Sequence, residues 1–210
     1  MTAQASHYHH GNLHDALIRV ALDALEDQGP ATLSLRGLAR TVGVSATAVY
    51  RHFGSKDELL AAIATEGFAG LSAEMNALLR REPDADALRR LEILGEGYVR
   101  YAVAHPAHYR LMFGKRMLER DAYPALNKAA AHSYGMLEAA VADAVESGAL
   151  PTMPVPMLST LAWSLVHGLS SLNNDGLLND KTLPAGAELG RTFSRMLARS
   201  LSGLRQPTEQ

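Results

Sequence analysis

Apolar positions recur at three- and four-residue intervals along most of the chain, and no stretch alternates with the period of two that a strand would show. Leu13, Leu17, Val20, Ala21, Ala24 and Leu25 form the first helical stripe, with Asn12 as its expected N-cap and Gly29-Pro30 as its stop. Ser34 then opens a short helix with Leu35, Leu38, Ala39 and Val42 on one face, and Gly43 ends it. Ser45 opens another, its apolar side formed by Ala48, Val49 and Phe53, and Gly54 closes it. Ser55-Lys56-Asp57-Glu58 reads as a capping box, serine at N-cap and glutamate at N3, heading a long helix that runs to Arg80 or Arg81.

Two short helices joined by Thr41-Val42-Gly43-Val44-Ser45 and buttressed by a preceding helix describe a helix-turn-helix. Glycine suits that joint because a tight turn between steeply crossed helices calls for a positive φ. Beyond Glu82-Pro83-Asp84 the pattern shifts to longer amphipathic stretches, with helices expected at about 86–104, 106–113, 122–148, 156–174 and 185–204. His105-Pro106 marks one break and the proline-rich stretch from Gly148 to Pro156 another. The expected fold class is all-α. An N-terminal arm (1–11) precedes a three-helix helix-turn-helix domain (12–72), followed by a helical-bundle domain (73–205) and a frayed tail (206–210).

Composition changes this picture little. The chain has 210 residues, 47% hydrophobic and 20% charged, enough for one large core or two smaller ones. It has no cysteine, which excludes disulfides, thiolate chemistry and cysteine-ligated zinc and fits a reducing compartment. No apolar run approaches the ~18 residues of a membrane span, and the polar start lacks a signal-peptide apolar core. The expected location is the cytoplasm, with no membrane partner.

Charge distribution is more informative than the net charge of -2. No acidic residue occurs between Asp27 and Asp57, while Arg36, Arg40, Arg51 and Lys56 make that interval locally basic. Charge alone leaves two readings open: a nucleic-acid contact surface, or clustering on a solvated face. Enzyme signatures do not compete with these. There is no glycine-rich phosphate loop, no serine nucleophile elbow, no His-Glu-x-x-His and no pair of Glu-x-x-His segments. No enzyme activity is expected, and no catalytic residue, cofactor or metal ligand.

The segment Leu35-Arg36-Gly37-Leu38-Ala39-Arg40-Thr41-Val42-Gly43-Val44-Ser45-Ala46-Thr47-Ala48-Val49-Tyr50-Arg51-His52-Phe53-Gly54-Ser55-Lys56-Asp57-Glu58-Leu59-Leu60 resembles the TetR family of bacterial transcriptional regulators. The likeness rests on Leu-Ala-x-x-Val-Gly-Val-Ser at the turn, Tyr-x-His-Phe at the end of the recognition helix, and Lys-Asp-Glu-Leu-Leu at the start of the next. It covers residues 12–72, and implies DNA binding for that domain and ligand binding and dimerisation for the helical-bundle domain after it. Farther on, His105-Pro106-Ala107-His108-Tyr109-Arg110-Leu111-Met112-Phe113 and Trp163-Ser164-Leu165-Val166-His167-Gly168 resemble the subgroup whose regulatory domain bears Trp-x-x-x-His-Gly.

Local chemistry supports a DNA-facing surface independently. A helix entering the major groove presents small or short polar side chains to base edges and longer donors to phosphates. Ser45, Ala46, Thr47, Tyr50 and Arg51 suit that surface, with His52 beside them. Lys56 and the amides at the start of its helix form a phosphate clamp. Arg36 and Arg40, on the supporting helix, face backbone or solvent. Tyr50 also admits a structural reading, as a half-buried aromatic tying two helices together.

In the C-terminal part, Tyr98, Tyr101, Met112, Phe113, Met117, Tyr134, Met136, Trp163 and His167 have the composition of an adaptable apolar ligand site, and equally that of an ordinary core. Leu158, Leu161, Leu165, Leu169 and Leu172 step by three and four, as do Leu189, Phe193, Leu197 and Leu201. Those stripes suit either a four-helix interface between subunits or the chain's own core. The family resemblance implies a homodimer through these helices, a palindromic double-stranded DNA operator, and a small-molecule effector that moves the long fourth helix. In the His7-Tyr8-His9-His10 cluster before the first helix, Tyr8, His9 and His10 are expected to form an arm near DNA phosphate, binding more strongly when protonated.

Overall fold

The computed structural model of the chain describes residues 10–28, 32–114, 122–178, 183–184 and 186–204. Among them the chain forms nine helices and no strand: α1 (His10–Gln28), α2 (Leu35–Val42), α3 (Ala46–Tyr50), α4 (Lys56–Leu79), α5 (Ala87–Ala104), α6 (Pro106–Phe113), α7 (Pro124–Glu146), α8 (Val155–Asn174) and α9 (Ala187–Ser202).

Side chains set the helix starts where the sequence places serine. The amides of Gly37, Ala48 and Glu58 donate to the hydroxyls of Ser34, Ser45 and Ser55 at 3.1, 3.2 and 3.1 Å, capping α2, α3 and α4. The Glu58 carboxylate reaches back to accept from the Gly54 amide at 2.7 Å, one residue before the cap. Gly43 ends α2 with φ 77, the left-handed conformation that the turn requires. Proline occupies the first turn of α6, α7 and α8, where its missing donor costs nothing.

Two helices differ from expectation. The first begins at His10, so Asn12 lies inside it rather than capping it, and His10 joins His14 within the helix. The recognition helix α3 is a five-residue piece rather than one reaching Gly54. After Tyr50 the chain tightens: the His52 amide donates to the Val49 carbonyl at 2.9 Å, a three-residue spacing. Phe53, whose amide donates to the Val49 carbonyl at 3.0 Å, is buried with its ring 5.0 Å from that of His14.

Apolar side chains gather into two cores. Leu17, Ile18 and Ala21 of α1, Leu35 and Leu38 of α2, Val49, Phe53, and Leu59, Leu60 and Ile63 of α4 form a small head core. Ala61, Ala64, Phe68, Leu71 and Met75 of α4 belong instead to a larger body core with α5, α7, α8 and α9. The changeover falls within the first two turns of α4, one unbroken helix of 24 residues, about 36 Å long. Leu111 of α6 packs against both cores.

Candidate functional site

On the head, α2, the Gly43 turn, α3 and the start of α4 bring the candidate DNA-facing residues onto one surface. Arg36, Arg40, Ser45, Ala46, Thr47 and Arg51 are exposed, and His52 and Lys56 are half-buried. Tyr50 is 46% exposed, which suits both an outward-facing role and a half-buried tie between helices. Leu38, Ala39 and Val49 anchor the opposite faces of α2 and α3 in the head core, so the polar faces must turn outward. Ser34, Arg36, Tyr50, Ser55 and Lys56 share one shallow notch, flanked by the first turns of α2 and α4. Two helix starts beside two cationic side chains are chemistry suited to a phosphate. His7, Tyr8 and His9 lie outside the described residues.

In the body, a cavity of about 350 Å³ opens between helices. Its lining combines Phe68, Leu71 and Met75 of α4 with Leu91, Leu94 and Tyr98 of α5, and Phe113 of α6. The far side is built from Ala130, Ser133, Tyr134 and Leu137 of α7, Trp163 and Val166 of α8, and Leu197 of α9. Its aromatic rings touch one another: Trp163 lies 6.0 Å from Tyr134 and 6.1 Å from Phe113, which is 5.4 Å edge-on to Phe68. Ser133 is held by donating to the Phe68 carbonyl at 3.0 Å and by its 2.6 Å bond to Ser72, pinning α7 to α4.

Of the candidate ligand residues, Tyr98, Phe113, Tyr134 and Trp163 line this cavity. Tyr101, Met112, Met136 and His167 do not. Tyr101 lies on another side of α5, where Gly70 lets its ring close on α4; a Cβ there would meet the hydroxyl at 2.6 Å. Met112 packs in the same way over Gly67, and the Met136 sulfur accepts from the Asn76 amide at 3.9 Å. His167 sits one layer behind the wall, its Nδ1 2.8 Å from the Tyr98 hydroxyl and 2.9 Å from that of Tyr109. Met117 lies outside the described residues.

Burial governs the titratable groups here. It pushes the Tyr98 phenol well above its usual range, with Tyr109 beside it adding to the effect, and raises Tyr109 to about 12. It holds the His167 imidazole below its ordinary value, which favours the neutral ring. Sequence reasoning missed Phe68, Leu71 and Met75. Their i, i+3, i+7 spacing on the long helix is a usable signal, but it shows only that one face is covered. Among the described residues, no group of three His, Asp or Glu side chains is placed to hold a metal ion. No described helix is long and apolar enough to cross a membrane.

The leucine stripes divide. Leu158, Leu169, Leu189, Leu197 and Leu201 are buried in the chain's own core, and Phe193 packs against it. Leu161, Leu165 and Leu172 are 41%, 50% and 44% exposed. Steps of three and four blur neighbouring stripes. On α8 the inner stripe is Leu158, Ala162, Val166 and Leu169, and the outer one is Met157, Leu161, Leu165 and Leu172, a single residue, or about 100°, away.

A capped helix-turn-helix with an outward polar face, joined by one long helix to an all-helical body with an internal cavity, defines a helix-turn-helix regulator. Comparison with known proteins agrees. The family model "Tetracyclin repressor-like, C-terminal domain" matches residues 91–202, more than half of the chain, and "Bacterial regulatory proteins, tetR family" matches residues 17–63. The chain belongs to the TetR family. Among curated relatives, nucleoid occlusion factor SlmA of Aliivibrio fischeri is 30% identical over 108 residues, 51% of this chain and 54% of that protein. HTH-type transcriptional repressor Rv3405c of Mycobacterium tuberculosis is 35% identical over 75 residues, 36% of this chain and 38% of that protein. The chain thus spans about half the length, or less, of these curated relatives. A solved protein of unknown function from Rhodococcus sp. RHA1 is 30% identical with TM-score 0.79, covering 94% of this chain and 100% of that one. A tetR-family regulatory protein from Rhodococcus RHA1 shares the fold at 18% identity and TM-score 0.74, covering 90% and 96%.

Proposed function

We propose that the chain is a cytoplasmic, homodimeric repressor that binds a palindromic operator and is released from it by a small apolar or aromatic ligand held in the body cavity. The observation that carries this reading is the span of α4. Its first turn presents Lys56 to the DNA-facing notch, and the same unbroken helix supplies Phe68, Leu71 and Met75 to the cavity wall. Lys56 and Met75 are about 28 Å apart along it. A ligand that displaces those side chains displaces the helix on which the head is packed. Leu111, wedged between both cores on the helix that carries Phe113, offers a second mechanical link. To change occupancy, the ligand must prefer the DNA-incompetent arrangement by about 1–3 kcal/mol.

The outer stripe of α8 supports the dimer reading. Met157, Leu161, Leu165 and Leu172 form an exposed apolar row, with Met196 and Leu204 exposed on and just after α9. A row of this kind on a soluble helix marks an interaction surface, and in a two-fold dimer it covers itself. Two heads about 34 Å apart would then read two half-sites. The placement of Trp163 in the wall with His167 behind it supports assignment to the Trp-x-x-x-His-Gly subgroup.

The test is retardation of a DNA fragment from upstream of the protein's own gene at about 100 mM salt, where specific binding persists. Arg51→Ala and Lys56→Ala should each weaken binding on every sequence and flatten the salt dependence by about one unit of slope per lost phosphate contact. Failure of the unaltered protein to retard its own upstream region, in the presence of a dimer by sedimentation, would sink the repressor reading.

A further inference from the structure

The polar groups of the wall residues Tyr98 and Trp163 belong to a cluster that extends behind the cavity to His167 and Tyr109. The Trp163 indole N–H donates to the Tyr98 hydroxyl at 3.3 Å, and the Tyr98 hydroxyl lies 2.8 Å from His167 Nδ1. The Tyr109 hydroxyl donates to the His167 backbone carbonyl at 3.0 Å. Phe113 closes over the group, its ring 4.9 Å from the imidazole. Four residues from α5, α6 and α8 are thus tied to one another through His167.

Counting protons assigns the bonds. A neutral imidazole has one acceptor nitrogen. The Tyr109 hydroxyl lies 2.9 Å from Nδ1 and 3.0 Å from the carbonyl, and the Tyr98 oxygen already accepts the indole N–H. Sending the Tyr109 proton to the carbonyl leaves Nδ1 to accept from Tyr98, the arrangement with His167 as the Nε2–H tautomer in which each of these donors has its own acceptor. With that bond made, the hydroxyls of Tyr98 and Tyr109 and the indole N–H of Trp163 are all consumed inside the protein.

We propose that His167 is the specificity-determining residue of the cavity although it does not line it. By accepting the Tyr98 proton it makes the Tyr98–Trp163 wall present ring faces rather than donors. The wall therefore selects hydrocarbon-like or aromatic molecules over ones that place a carbonyl against it. This rests on the cavity being the ligand site. A carbonyl buried against that wall loses its water and gains no donor, a penalty of about tenfold or more in affinity.

The titratable groups facing His167 are Tyr98 from α5 and Tyr109 from α6, both raised above the ordinary phenol range, with Asp175 beyond α8 acting on Tyr109. From α7, Tyr134 reaches the group only through Trp163, and among the described residues α9 contributes no ring or hydrogen bond to it. His167 is therefore the group of this cluster that changes charge between about pH 5 and 8. Burial lowers its affinity for a proton, so the charged ring appears only below the ordinary value of 6.5. Once charged, Nδ1 becomes a donor and the Tyr98 proton must turn elsewhere.

The experiment compares ethylbenzene and acetophenone, which share a skeleton and differ by a carbonyl in place of a methylene, by calorimetric titration of the full chain. Wild type and His167→Asn, whose side-chain oxygen replaces Nδ1 as acceptor, should prefer ethylbenzene in ratios within about twofold of each other. His167→Phe keeps a ring without the acceptor and should shift the ratio toward acetophenone by about tenfold. An unchanged ratio in His167→Phe overturns the role of His167 and leaves the ligand site standing. If neither compound binds wild type at millimolar concentration, the ligand site falls and the proposal falls with it. A second readout does not depend on His167→Phe folding. Trp163 is the single tryptophan of the chain, and its emission should change in wild type below pH 6.5 and stay flat in His167→Asn. A flat wild-type profile overturns the proposal.

Discussion

The candidate DNA-facing surface and the body cavity are built by opposite means. The surface is one continuous stretch from Ser34 to Lys56, in which three serines start the helices and one left-handed glycine turns the chain. The cavity draws on residues from Phe68 to Leu197 and on six helices, and no single stretch of chain defines it. The surface is therefore a local device, stable because each short helix satisfies its own ends. The cavity is a by-product of how long helices pack around aromatic rings, and its shape depends on every one of them.

The two regions should fail differently, beginning with the largest effect. Leu59→Ala removes a fully buried side chain from the head core and should cost about 2–5 kcal/mol. In urea titrations the far-UV circular dichroism midpoint should fall further than the midpoint followed by Trp163 emission, because Trp163 reports the body. Equal shifts would show that the two cores unfold as one. Ala130→Leu pushes a larger side chain into the cavity and should weaken ligand binding by about 1–3 kcal/mol while leaving operator affinity unchanged. A parallel loss of operator affinity in gel retardation would mean that cavity and head cannot be separated.

Smaller effects sharpen the same contrast. Ser45→Ala deletes the cap of α3, a helix of five residues with little else to hold its start, and should cost about 1 kcal/mol in thermal denaturation. Arg90→Ala breaks an exposed 2.9 Å pair between α5 and α7 and should change stability by less than about 1 kcal/mol. A larger loss there would give surface pairing in the body a weight that solvent screening normally denies it. Stability should also decline as pH falls through 6.5, because burial makes His108 and His167 bind protons less readily folded than unfolded.

Legibility followed the same division. Caps, the Gly43 turn and the prolines that open α6, α7 and α8 act through the nearest few residues, so the sequence shows them directly. The recognition helix ends after Tyr50, yet Phe53 still joins Val49 in the head core, its amide donating to the Val49 carbonyl at 3.0 Å, so the shared face read from Ala48, Val49 and Phe53 survives the shorter helix. The α8 leucines show the limit of periodicity. Spacing identifies them as apolar and helical, but whether Leu158 faces inward and Leu161 outward is set by where α5 and α9 lie.

By itself, then, the sequence determined the helical class, the positions of most helix ends, the turn between α2 and α3, and the local basic interval that carries Arg36, Arg40, Arg51 and Lys56. These depend on contacts within a turn or two of chain. Only the tertiary structure decided that α4 serves both cores, that Phe68 and Trp163 share a cavity, and that His167 turns away from it toward two tyrosines. Tyr98 and His167 are 69 residues apart, and nothing in their own neighbourhoods encodes a hydrogen bond that exists only because α5, α6 and α8 pack together.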